Sequence, residues 1–259
     1  MRRIAVGLEY DGTGYCGWQI QSSGNSVEAV VSRAVSWVAD QPVALVCAGR
    51  TDSGVHAFGQ VAHFDTDIHR SERSWVLGAN TRLAADVRVQ WAREVPDHFH
   101  ARFSALWREY RYRILNQPVA SALERNRATW IREPLSLEPM IAAANCLVGE
   151  RDFAAFRATA CQSKSSVRNL QLLDVVQNGP NIWLRFRANA FLHHMVRNLA
   201  GWLIAVGRGD RSVSETTQVL SSLDRRLAAP TAAAAGLYFW DVGYHPSFGL
   251  PDRRDLVDP

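Results

Sequence analysis

VALVCAGRTDSGVHAFGQVAHF, residues 43–64, decides how the chain is read. Val43 to Ala48 alternates as a strand does and stops at Gly49, and GQVAHF, residues 59–64, reads as the next strand. Ser53-Gly54 closes a turn between them. At that turn sits one carboxylate, Asp52, with Arg50 beside it. An aspartate ends such a turn either because its side chain caps its own backbone or because chemistry needs a carboxylate there. Aspartate is ionised at neutral pH without help, so it needs no partner base to act as a nucleophile.

The pattern continues on both sides. Ile4, Val6, Leu8 and Tyr10 predict a half-buried strand. After a Gly- and Ser-rich loop, Asn25 and Glu28 form a capping-box pattern ahead of a helix carrying Val27, Val30, Val31, Ala34, Val35 and Val38. A helix is expected over 72–83 and a strand over 86–95. REYRYRI predicts another strand, with Tyr110 and Tyr112 on one face. Trp183, Arg185 and Arg187 repeat an aromatic and basic face within a strand at 181–189, joined to one at 167–176 by the turn QNGPN. Such faces suit splayed nucleotides, with bases stacked on rings and arginines on phosphates; they equally suit tyrosines packed in a core. Ser136 opens a helix, and a second is expected over 190–206, with His193 and Arg197 sharing one flank. Ser212 and Glu215 cap a further helix, Ala232 to Ala235 read as a loop, and LYFWDVGYHP closes the pattern as a strand. Helices and strands mix without strict alternation, so the fold class is α+β with antiparallel sheet. A boundary near Ser104 gives domains at 1–104, carrying the Asp52 loop, and 105–259.

Hydrophobic residues make up 47% of the 259 and charged ones 21%, an ordinary globular balance. The N-terminus reads as a strand rather than a signal peptide, and no apolar run nears the roughly 18 residues of a membrane span. A cytoplasmic protein with no membrane partner is the expectation. Cys16, Cys47, Cys146 and Cys161 lack zinc or disulfide spacing. The net charge is +4, and the basic residues are all arginine except Lys164. Arginine offers bidentate forks to phosphate and a flat face to bases, though codon bias yields the same composition.

No Walker loop, GxGxxG, GxSxG or HExxH occurs. His98-x-His100 and His193-His194 could supply metal ligands, but neighbours on a helix point about 100° apart and chelate one ion poorly. Asp52-Ser53-Gly54 is half of an aspartic-protease site; the second half is missing, since Asp65-Thr66-Asp67 lacks the glycine.

Seven segments together resemble the tRNA pseudouridine synthase A family: YDGTGYCGWQIQ (10–21), AGRTDSGVHAFGQVAHF (48–64), FHARFSALWREYRYRI (99–114), DFAAFRA (152–158), CQSKSSVRNL (161–170), FLHHMVRNLAG (191–201) and GLYFWDVGY (236–244). The resemblance runs the length of the chain. It implies two RRM-like α+β domains sharing a continuous, mainly antiparallel sheet with a basic central cleft. It also implies isomerisation of uridine to pseudouridine at positions 38, 39 and 40 of the tRNA anticodon arm, by a homodimer, with no metal or organic cofactor and no DNA partner. Carried over by motif, Asp52 is the catalytic aspartate, Arg197 the arginine that pairs with it, Tyr110 the ring that stacks on the target uracil, and Arg50 the arginine beside the extruded nucleotide. A tRNA-binding chaperone that has lost turnover is the competing class.

Overall fold

The computed structural model describes residues 1–22, 24–159, 161 and 163–251. In chain order its elements are β1 (Arg2–Tyr10), α1 (Val27–Ala39), β2 (Val46–Cys47), β3 (His56–Thr66), α2 (Glu72–Asn80), β4 (Val87–Val95) and β5 (Trp107–Asn116). Then follow β6 (Thr129–Ile131), α3 (Leu137–Leu147), β7 (Gly149–Asp152), β8 (Val167–Asn178), β9 (Asn181–Ala188), α4 (Met195–Arg208), α5 (Val213–Ser222) and β10 (Leu237–Gly243). The architecture is α+β with mainly antiparallel pairing, as expected. Two compact units form: Met1–Leu106 together with the chain from Tyr238 onward, and Trp107–Leu237.

In the first unit the strand order is β4-β1-β3-β10, with β2 on β3. β1 lies antiparallel to both β3 and β4, while β10 runs parallel to β3 through Tyr238↔His56. β1 is not half-buried as its alternation suggested: Ile4, Ala5, Val6 and Leu8 are all buried. One face meets the helices, where Trp75 of α2 packs edge-on against Phe64 of β3 at 5.2 Å. The other is covered by the segment after β4. There His63 Nδ1 accepts from the Ala101 amide at 3.1 Å, and Phe99 packs on Tyr244 and Phe248. Phe248 lies beyond LYFWDVGYHP, in a stretch that matches none of the seven family segments and for which the sequence predicts no element; residues 252–259 lie outside the described residues.

The helix start differs from the expected capping box. Ser26, not Asn25, caps α1 by accepting from the Ala29 amide, and Glu28 instead accepts from the Ile20 amide at 2.9 Å. The strand expected at 43–49 shrinks to Val46–Cys47 because α1 takes the backbone of Val43: its amide donates to Ser36 Oγ and its carbonyl accepts from Ser32 Oγ. The helix expected over 72–83 ends at Asn80.

In the second unit the order is β5-β9-β8-β7, with the short β6, which the sequence reading missed, along β5. Cross-strand register sorts β5 into two faces. Tyr110↔Phe186, Tyr112↔Leu184 and Ile114↔Ile182 form the core face, whereas Glu109↔Arg187, Arg111↔Arg185 and Arg113↔Trp183 form the other. Trp183, Arg185 and Arg187 do share one face, together with Arg111 and Arg113, as the alternation in sequence implies; Tyr110 and Tyr112 lie on the other, so the aromatic and basic face expected of β9 stands without the two tyrosines. α4 begins at Met195 rather than 190, because His194 adopts φ 60 and turns the chain there. His193 therefore precedes the helix and does not share a helical flank with Arg197.

Candidate functional site

The turn that carries Asp52 is gripped from both sides. Its own closure is local: the Val55 amide donates to the Asp52 carbonyl at 3.1 Å, and Gly54 sits at φ 76, where a side chain would be disfavoured. On the upstream side a buried network holds the backbone. Gln60, 0% exposed, donates from Nε2 to the Gly49 carbonyl at 2.6 Å and receives the Gly49 amide on Oε1 at 3.4 Å. One side chain thus stands in for a missing pair of ladder bonds. Tyr10 Oη and Thr51 Oγ1 lie 2.8 Å apart in the same network. Burial pushes the Tyr10 phenol well above its ordinary range, so it stays a neutral hydrogen-bonding group.

The other grip comes from the loop after β1. The Trp18 amide donates to the Thr51 carbonyl at 2.9 Å, while the Tyr15 carbonyl accepts from the Gly54 amide at 3.3 Å and from Ser53 Oγ at 3.2 Å. Gly17, at φ 92, is what permits this approach: a Cβ there would lie 2.6 Å from the Thr51 carbonyl oxygen. The loop is tied to α1 through the Val27 amide to the Gly17 carbonyl and the Glu28 amide to the Trp18 carbonyl. Strand, loop and helix start thus converge on one turn, leaving Asp52 half-buried and Arg50 exposed at its edge.

In the second unit Tyr110 lies on β5, 9% exposed, with Phe191 edge-on to its ring at 4.9 Å. Arg197 lies in the first turn of α4, and Nε donates to the Ala232 carbonyl at 2.9 Å while its own carbonyl accepts the Ala232 amide at 3.1 Å. The loop of alanines thereby fixes the arginine. The next residue, Asn198, is 0% exposed; it donates to the Phe156 carbonyl and accepts from Thr231 Oγ1 and Arg225. Beneath Tyr110, Tyr112 is held neutral, its phenol pushed up to about 12 by burial against the opposing effects of Thr129 and Arg197.

Of the residues singled out from sequence, Arg50 and Asp52 thus share one turn of the first unit, and Tyr110 and Arg197 belong to β5 and α4 of the second. Gln60, Tyr10 and Tyr15 were missed. Gln60 had a legible signal, a polar side chain at an inward strand position; Tyr10 and Tyr15 lie in the segment YDGTGYCGWQIQ, but nothing local marks what their side chains reach.

A family profile described as tRNA pseudouridine synthase matches residues 8–104 and 143–245. Curated proteins bearing the name tRNA pseudouridine synthase A align over nearly the whole chain. That of Methylococcus capsulatus is 53% identical over 98% of this chain and 93% of its own length. That of Hydrogenovibrio crunogenus is 50% identical over 97% and 96%, and that of Paraburkholderia xenovorans 51% over 97% and 93%.

Proposed function

The chain belongs to the tRNA pseudouridine synthase family and is an isomerase of tRNA uridine; on that premise we propose that its targets are uridines 38, 39 and 40 of the anticodon arm and that Asp52 is the essential residue. The observation that supports this is the turn itself. It aims a single half-buried carboxylate with the backbone held on both sides, as a reaction needs when the reacting atom must be placed closely.

The reaction breaks the N–C glycosidic bond, rotates the uracil and rejoins it through carbon, so the base must leave its stack, at a cost of a few kcal/mol. Tyr110 takes the role of stacking on the extruded uracil, which returns roughly 1–3 kcal/mol. The Asp52 carboxylate either adds to the ring or takes a proton from the ribose. Arg197 pairs with that carboxylate and aims it, and Arg50 lies beside the extruded nucleotide. The N-terminal domain supplies Asp52 and Arg50, the C-terminal domain Tyr110 and Arg197. No cofactor or metal is required. The enzyme works in the cytoplasm as a homodimer, with tRNA and not DNA as its nucleic-acid partner; no helix among the described residues is long and apolar enough to cross a membrane.

The test uses an unmodified tRNA transcript with uridines at 38–40, incubated with wild type or Asp52→Ala, and the modified positions mapped. Pseudouridine at those positions from wild type alone is the expected result. Product at other positions would refute the anticodon assignment, and product from Asp52→Ala would refute the residue's role.

A further inference from the structure

Tyr15 touches the Asp52 turn through its backbone and a distant anchor through its side chain. Its carbonyl oxygen accepts both the Gly54 amide and Ser53 Oγ. Its ring is buried, 5% exposed, and at the far end Oη donates to Asp86 Oδ1 at 2.9 Å. Asp86 immediately precedes β4, and its carbonyl accepts the Asp11 amide at 2.9 Å. Asp86 therefore ties down both ends of the loop segment 11–15, one through its backbone and one through its carboxylate. The Tyr15 amide completes the frame by donating to the Gly12 carbonyl at 3.0 Å.

We propose that Tyr15 is a positioning residue for the isomerisation, a strut that fixes the turn carrying Asp52 at a set distance from β4. The inference rests on the assignment of Asp52 above. Three features point to it. A tyrosine ring is rigid and spans the gap with two rotatable bonds. A hydroxyl donating to a carboxylate is among the stronger hydrogen bonds available to a neutral side chain. Burial first, and the Asp86 carboxylate second, push the phenol up to about 12, so the donor keeps its proton throughout the working range of pH. The hydroxyl reaches the chemistry only through the turn. Its loss therefore leaves RNA affinity intact and lowers the rate at which bound uridine reacts, because loosening a reacting group costs turnover more than binding.

The experiment measures kcat, KM and tRNA affinity for wild type, Tyr15→Phe, Asp86→Asn, Asp86→Ala, the double variant Tyr15→Phe/Asp86→Ala, and Asp52→Ala. Tyr15→Phe keeps the ring and is expected to lower kcat about tenfold with KM and affinity unchanged. Asp86→Asn keeps an oxygen acceptor and is expected to hold kcat within about threefold of wild type, whereas Asp86→Ala matches Tyr15→Phe. The double variant falls no further than either single change, since both break one contact. Wild-type kcat in Tyr15→Phe, or losses that multiply in the double variant, would overturn the strut while leaving Asp52 in place. Turnover by Asp52→Ala would overturn the parent assignment and the strut with it. Should Tyr15→Phe fold poorly by thermal unfolding, the contrast between Asp86→Asn and Asp86→Ala decides: equal kcat in the two refutes the proposal.

Discussion

Glu109 and Arg187 face each other across β5 and β9, with Arg187 Nη2 2.6 Å from Glu109 Oε2 and the carboxylate side chain only 2% exposed. Arg111 joins the same carboxylate at 3.1 Å and Arg185 at 3.7 Å. One buried acid thus organises three guanidinium groups on the sheet face opposite Tyr110.

Removing that acid leaves the arginines crowded. Burial raises the Glu109 pKa, but hydrogen bonds from Arg187 and Arg111 outweigh it, and the net direction is down. The stabilisation is therefore complete above the usual carboxylate range and is lost as pH falls through the depressed folded value. Glu109→Gln is expected to cost about 1–3 kcal/mol at neutral pH, a discounted figure because the arginines are partly solvated. Thermal unfolding as a function of pH checks this: the gap to wild type should begin to narrow as pH falls below the ordinary carboxylate value of about 4 and close only below the depressed folded value. A gap of constant size would show that charge is not the cause.

A histidine in the first unit carries the opposite sign. His63 is buried, with Nδ1 accepting the Ala101 amide, and its pKa is lowered to about 4, by burial first and then by Arg3 and His100, against Asp65. The folded state prefers the neutral ring, so its contribution is intact above the unfolded value near 6.5 and erodes as pH falls from there toward 4. The loss over that window is about 2–3 kcal/mol. His63→Gln retains an acceptor for Ala101 and does not titrate, so its denaturant midpoint should vary less between pH 6.5 and pH 4. Equal slopes in the two proteins would assign the acid sensitivity elsewhere.

Gln60→Leu strips the Gly49 amide and carbonyl of their shared partner inside the protein. Leaving these part-buried backbone groups unpaired costs about 1 kcal/mol, and the freed segment runs straight into Asp52. Both the melting temperature and turnover should fall, while tRNA retention on a filter stays near wild type. Full turnover in a destabilised variant would mean that the network serves stability alone.

Substitutions at Tyr110 test its proposed role by separating stacking from proton transfer. Tyr110→Ala is expected to weaken the complex by about 1–3 kcal/mol through lost stacking, and Tyr110→Phe to restore it. If Tyr110→Phe binds normally but turns over slowly, the hydroxyl takes part in proton transfer. Stopped-turnover assays on pre-bound tRNA read the two apart.

How much of this was legible beforehand differs by residue. Val31, Val35 and Val38 announce α1 by periodicity, and Ser212 with Glu215 announce α5, because local spacing and capping are written in neighbouring positions. Asp52, Arg50, Tyr110 and Arg197 stood out by motif. Less accessible was anything decided by distant partners. Glu109 and Tyr110 are adjacent in sequence, and only pairing with β9 shows which faces the arginines. The expected helix over 190–206 lost its first turn at His194, where a backbone with φ 60 overrode the apolar period. Tyr15 looked like one more loop aromatic until Asp86, far along the chain, came to meet it.

β10 has a consequence for the order in which the protein is made. The strand that pairs with His56 and Ala57 of β3 begins at Leu237, and Tyr244 and Phe248, which cover Phe99, come later still. A ribosome that has finished residues 1–106 has therefore made most of the first unit without its final strand or its cover. The second unit, continuous from Trp107 to Leu237, is synthesised in full before that unit can close. Of the two units, the one begun first is completed last, and until then the β3 edge next to the Asp52 turn is a place where a nascent chain can pair wrongly.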